Sequence, residues 1–141
     1  MIYLKSESEI EKMRDSAQIV SRTLTEVAKH TKPGVTTAKL DSVAEDFIEK
    51  NGGRPAFKGY GPKGNKFPAS LCMSVNEEVV HGIPSKQKKL ANGDIVSIDC
   101  GVEKDGYFGD HAYTFAVGEC EDEKIRLLRA TLESLYKGIE Q

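Results

Sequence analysis

The chain has 141 residues, enough for one domain or part of one. Its 20 Lys and Arg against 22 Asp and Glu leave a formal charge of −2 and a pI near 5.9, which excludes the basic excess of a nucleic-acid-binding module. With 38% hydrophobic and 30% charged residues the composition is that of a folded rather than a disordered chain, and no apolar run approaches the roughly 18–20 residues that span a bilayer.

Met1-Ile2-Tyr3-Leu4-Lys5-Ser6-Glu7 lacks the basic start, apolar stretch and cleavage site of a signal peptide. Cys72, Cys100 and Cys120 are scattered and unpaired in spacing, which predicts reduced thiols in a cytoplasmic protein. A first helix is expected over Glu7–Lys29: Met13, Ala17, Val20, Leu24 and Val27 draw one apolar stripe, and Ser6 with Glu9 fits a capping box. Lys32-Pro33-Gly34 ends it. A second helix runs from Thr36 or Thr37 to Lys50, with Leu40, Val43, Ala44, Phe47 and Ile48 on one face and Gly52-Gly53 as its stop. The Gly-, Pro- and Lys-rich stretch Arg54–Pro68 reads as a long loop. Strands are expected at Ser70–Val75, Val79–His81, Asp94–Val102 and Tyr107–Val117, followed by a third helix after Glu121-Asp122-Glu123 with the stripe Ile125, Leu128, Leu132, Leu135 and Ile139. This order predicts an α+β fold: an antiparallel sheet covered by helices.

Several motifs fail on context. Gly59-Tyr60-Gly61-Pro62-Lys63-Gly64 satisfies G-x-G-x-x-G, but a helix precedes it and prolines follow, so no dinucleotide site is expected. Gly64 is followed by Asn65 rather than by Lys and Ser or Thr, and neither a G-x-S-x-G elbow nor an H-E-x-x-H helix occurs.

The informative segment is Asp94–Phe115. Asp105-Gly106 between two β-rich runs predicts a two-residue type I′ hairpin. That turn sets Lys104 opposite Tyr107, Gly101 opposite Asp110 and Asp99 opposite Ala112, so Asp99 and Asp110 become diagonal neighbours on one face, with backbones about 7–8 Å apart. The other face of the first strand carries Val96, Ile98 and Cys100, a core pattern. Taken alone, the pair fits two readings. Either the aspartates point to solvent or pair with lysines, or they hold divalent cations, which would offset the several kcal/mol that unpaired buried carboxylates cost.

Three blocks in this order resemble the type I methionine aminopeptidases: Ser74–Pro84 with its His81-Gly82-Ile83-Pro84, Gly93–Asp99, and Gly106-Tyr107-Phe108-Gly109-Asp110. Pro33-Gly34-Val35-Thr36-Thr37 and Gly59-Tyr60 agree with the same family. The resemblance implies the pita-bread fold, removal of the initiator Met from nascent proteins, and a two-metal centre (Co, Mn, Fe or Zn) that activates a water. Carried onto this chain, it makes Asp99 and Asp110 metal ligands, with Asp110 bridging both ions, and His81 the catalytic histidine that binds the substrate backbone. Tyr60, Phe67 and Cys72 become lining for the methionine side chain, where rings and a thiol suit a thioether. Pro62–Lys66 makes the loop between Tyr60 and Phe67 longer than is usual in the family.

The family takes three further ligands, a His and two Glu, from a second half related to the first by pseudo-symmetry. Residues 1–141 therefore read as the N-terminal portion of such a catalytic domain, with the C-terminal half absent and the chain inactive alone. His111 follows Asp110 directly and so faces the other side of its strand, unable to stand in for the missing His. Two competing readings are a non-catalytic pita-bread half that binds protein N-termini or another chain, and a proline-specific peptidase of the same fold. Exposed strand edges would favour self-association or complementation by a separate C-terminal half.

Overall fold

The structure, a computed structural model, describes residues 2–141; Met1 of the N-terminal segment lies outside the described residues. Helix α1 spans Glu7–His30 and opens with the expected capping box, in which the Glu9 amide donates to Ser6 Oγ and the Ser6 amide donates to Glu9 Oε2 at 2.8 Å. Its buried face is Ser16, Ile19, Val20, Thr23, Leu24 and Val27, so the expected stripe is correct from Val20 onward but not at Met13 and Ala17, which are exposed. The cause lies in the strand beneath. A Cβ on Gly109 would stand 2.6 Å from the Ala17 nitrogen, so helix backbone rather than a large side chain meets the sheet there. Ser16 closes the contact by donating to the Tyr107 carbonyl at 2.9 Å.

Helix α2, Thr37–Lys50, is capped by Thr36, whose side chain accepts from the Lys39 amide, and it buries Thr37, Leu40, Ala44 and Ile48. The sheet has four strands: β1 (Arg54–Pro55), β2 (Leu71–Val75), β3 (Ile95–Lys104) and β4 (Tyr107–Ala116). All pairings are antiparallel to β3, with β4 along one edge and β2 and β1 end to end along the other. Val96, Ile98, Cys100 and Val102 of β3 are fully buried and join Val20, Val27, Leu40 and Ile48 in one core, as the alternation along the strand requires.

Three expectations need correction. Val79–His81 is not a strand: the chain turns after Val75, Asn76 and His81 take left-handed φ values of 53° and 59°, and Val79 is 86% exposed. A β-branched pair reads as strand, but pairing needs a partner on at least one side. Within the supposed loop, Arg54 and Pro55 instead form β1 against Glu103 and Val102. Helix α3, Asp122–Ile139, forms where expected but buries no residue; Leu132, Leu135 and Ile139 of its stripe are exposed. The helical layer on the sheet is thus α1 and α2 on the core face. No helix among the described residues is long and apolar enough to cross a membrane.

Candidate functional site

The hairpin joining β3 and β4 is built as its turn residues dictate. Asp105 and Gly106 have φ of 52° and 81°, the two left-handed residues of a type I′ turn. The resulting register sets Lys104 against Tyr107, Gly101 against Asp110 and Asp99 against Ala112. Asp99 and Asp110 therefore share the face of the sheet turned away from α1 and α2. On the other side of β3, Cys72 of β2 lies opposite Asp99 and belongs to the same face. Gly101 leaves room for the ring of Phe57, whose Cε1 lies 2.6 Å from where a Cβ would be.

Among the described residues neither Asp99 nor Asp110 takes part in an ion pair. Burial first, and then the negative charge of Asp110, hold the Asp99 carboxyl above its ordinary value of 3.8, with His81 working against the rise. Burial, followed by Asp99 and Asp110, pushes the Cys72 thiol up to about 11. Asp99 Oδ1 is buried with no hydrogen-bond partner. An orphaned buried acceptor costs about 1–3 kcal/mol, and native folds keep few of them without a purpose. Oxygen donors beside each other on an open face suit a divalent cation. The site nonetheless stops short of a full ligand shell: among the described residues no group of three His, Cys, Asp or Glu could hold a metal.

His81 is exposed and is fixed through its neighbour. Met73 N donates to the Gly82 carbonyl at 2.8 Å, and Gly82 N donates to Ser74 Oγ at 3.2 Å. Gly82 carries no side chain because a Cβ would overlap the Met73 carbonyl. His81 thus stands beside β2, one strand away from Asp99. His111 pairs with Cys100 and faces the α1 side, in a groove with Ser21, Leu24, Thr25 and Ala28, as the alternation of β4 predicts. It does not join the aspartates.

Tyr60 and Phe67 are neighbours despite the six residues between them. Phe67 N donates to the Tyr60 carbonyl and Gly59 N to the Phe67 carbonyl, both at 2.8 Å. The stretch Pro62–Lys66 loops out and back, closed by the Asn65 amide donating to Pro62 O. Phe67 is half-buried, while Tyr60 is 78% exposed and leaves this side of the face open. Sequence reasoning missed Phe57, and the only available signal was the strand glycine it covers, since Gly inside a strand marks a close approach.

Comparison with known proteins agrees with this geometry. The family model for "Metallopeptidase family M24" matches residues 11–141. A methionine aminopeptidase of Clostridium acetobutylicum is 54% identical over 141 residues, covering 100% of this chain and 55% of that protein. The crystal structure of methionine aminopeptidase from Rickettsia prowazekii superposes with a TM-score of 0.92 at 38% identity, covering 99% of this chain and 54% of that one. An Xaa-Pro dipeptidase from Bacillus anthracis follows more distantly, with a TM-score of 0.81 at 26% identity over 96% of this chain and 35% of that one. The chain thus spans about half the length of the curated relatives it matches, 55% in the first case. An antiparallel sheet with paired aspartates on its open face, matched by this family over 131 of 141 residues (11 through 141), makes the chain a member of metallopeptidase family M24, with the pita-bread architecture of the methionine aminopeptidases.

Proposed function

We propose that residues 1–141 form part of the catalytic domain of a methionine aminopeptidase that removes the initiator Met from nascent proteins in the cytoplasm. Asp99 and Asp110 would hold two divalent metal ions, whose identity among Co, Mn, Fe and Zn the carboxylates do not select. Such ions supply an activated water and polarise the scissile carbonyl. His81, beside β2, would hydrogen-bond the substrate backbone and steady charge developing on its carbonyl oxygen. Tyr60, Phe67 and Cys72 would receive the methionine side chain. The Cys72 thiol, pushed up to about 11, stays protonated at neutral pH and packs as an apolar group.

The observation that carries this reading is the partnerless, buried Asp99 Oδ1 on the same face as Asp110. Among solved structures, TM-scores of 0.92 and 0.91 to methionine aminopeptidases, against 0.81 to an Xaa-Pro dipeptidase, support methionine over proline specificity. Two carboxylates do not fix two ions, so the remaining donors come from outside the described residues and the chain alone is expected to be inactive. The test is hydrolysis of Met-Ala-Ser with Mn²⁺, by the chain alone and by the chain joined to the part of the Clostridium acetobutylicum relative that it does not match. Only the joined protein should release methionine, and Asp110→Asn should abolish that release. A folded joined protein without activity would refute the proposal.

A second reading, a binding module completed by another polypeptide, is favoured by exposed surface. The chain exposes 9419 Å², against about 7,200 Å² expected for a compact monomer of its mass. The free edge of β4 and the exposed Leu127, Leu132, Leu135 and Tyr136 of α3 contribute to that surplus. Sedimentation separates the cases: a dimer or a complex with a supplied C-terminal half supports it, and a monodisperse monomer that ignores that half refutes it.

A further inference from the structure

The segment bearing Tyr60 and Phe67 leaves the sheet after β1 and returns at β2, and both of its ends are tied to the same helix. At the return, Asp41 Oδ1 on α2 accepts from the amides of Ser70 at 3.0 Å and Leu71 at 2.8 Å. One helical turn later Glu45 accepts from Ser70 Oγ at 3.1 Å through Oε2 and pairs with Lys58 through Oε1. Lys58 precedes Gly59, whose amide closes the Tyr60–Phe67 pairing, and Leu71 precedes Cys72. Residues four apart on a helix present their side chains on one face, so two carboxylates grip the two ends of one excursion.

From this arrangement we propose that Asp41 and Glu45 are positioning residues: they hold the segment Lys58–Cys72 in one shape, and with it the wall formed by Tyr60, Phe67 and Cys72. The proposal deepens the methionine-pocket reading and rests on it for the wall's purpose, though not for the clamp itself. The Asp41 tie is the stronger. Burial leaves its carboxyl above the ordinary value while both amides pull it back down, so the carboxylate is kept in a poorly solvated place by those two donors. Glu45 is held below its ordinary value, first by its bond from Lys58. Ser70 is fully buried, so its amide has no water to turn to when Asp41 is removed. The Glu45–Lys58 tie is the more exposed and contributes less.

Residue-resolved amide exchange on the chain tests the clamp without any need for catalysis. Asp41→Ala is expected to speed exchange at Ser70 and Leu71, and with them at Gly59 and Phe67, by about fivefold to a hundredfold, the range implied by unpaired buried donors. Ile98 in the centre of β3 should not change. Asp41→Asn keeps an acceptor oxygen and should restore protection at Ser70 and Leu71. Glu45→Gln should loosen Gly59 and Phe67 but not Leu71. Unchanged exchange at Ser70 and Leu71 in Asp41→Ala, or an equal rise at Ile98, would overturn the proposal. Chemical-shift changes at Tyr60, Phe67 and Cys72 on adding L-methionine report separately on the pocket. If the wild-type chain shows none, the pocket reading fails while the exchange data still decide the clamp.

Discussion

Replacing Asp99 by Asn should make the metal-free protein more stable at neutral pH. Asp99 carries a buried oxygen with no donor and faces the charge of Asp110. The unpaired atom stays in the variant; what Asn removes, while nearly conserving shape, is the charge that burial opposes and that Asp110 repels across about 7–8 Å, an interaction of about 1–2 kcal/mol at an intermediate effective dielectric. A gain of about 1–2 kcal/mol follows, or roughly 3–8 °C in Tm for a domain of this size. The pH dependence identifies the cause. The folded-state pKa of Asp99 lies above its ordinary 3.8, so the folded chain binds the extra proton. Wild-type stability from this group is therefore lost as pH rises from that ordinary value through the folded-state one, and the deficit is constant above it. Below it both states are protonated and the variant's advantage should vanish. Thermal unfolding of the two proteins in chelator, from pH 3 to pH 8, measures this. A variant less stable than wild type at pH 7, or an advantage that persists unchanged at pH 3, would refute the reasoning.

Other substitutions read the same geometry. Gly109→Ala places a Cβ 2.6 Å from the Ala17 nitrogen, a backbone atom that yields only if α1 moves; overpacking of this kind costs about 1–3 kcal/mol, measurable by urea unfolding. Gly106→Ala meets open space but keeps φ at 81°, so it should cost only about 1–2 kcal/mol and leave the core spectra unchanged. Alkylation of Cys72 by iodoacetamide, followed by peptide mass spectrometry, should stay slow at pH 7 and rise through about 11. In Asp99→Asn that rise should come at lower pH, because one of the charges opposing the thiolate is gone.

The hairpin was legible because its information is local: Asp105-Gly106 selects the turn, the turn sets the register, and the register puts Asp99 and Asp110 on one face. The core side of β3 was legible for the same reason, since period-two alternation marks Val96, Ile98 and Cys100. What escaped depends on contacts between distant segments. Met13 fits the α1 stripe by periodicity, but the close approach at Gly109 decides which residues meet the sheet. Val79 and Val80 have strand-like side chains, yet Gly82 is the residue held against β2. The α3 stripe is a sound amphipathic pattern, but only its start, at Ile125 and Leu128, is partly covered, while Leu132, Leu135 and Ile139 stay exposed. Asp41 and Glu45 read as ordinary helix-surface acids until Ser70, Leu71 and Lys58 are brought to them from more than ten residues away.

The central claim, that the paired carboxylates on the open face of the sheet grip divalent ions, is tested most directly by following the Asp and Glu side-chain carboxyl carbons by NMR during titration with Mn²⁺. Paramagnetic broadening should begin at Asp99 and Asp110, and should disappear from that face in the double variant Asp99→Asn, Asp110→Asn. Broadening that starts at other acidic residues while these two signals stay sharp would contradict it.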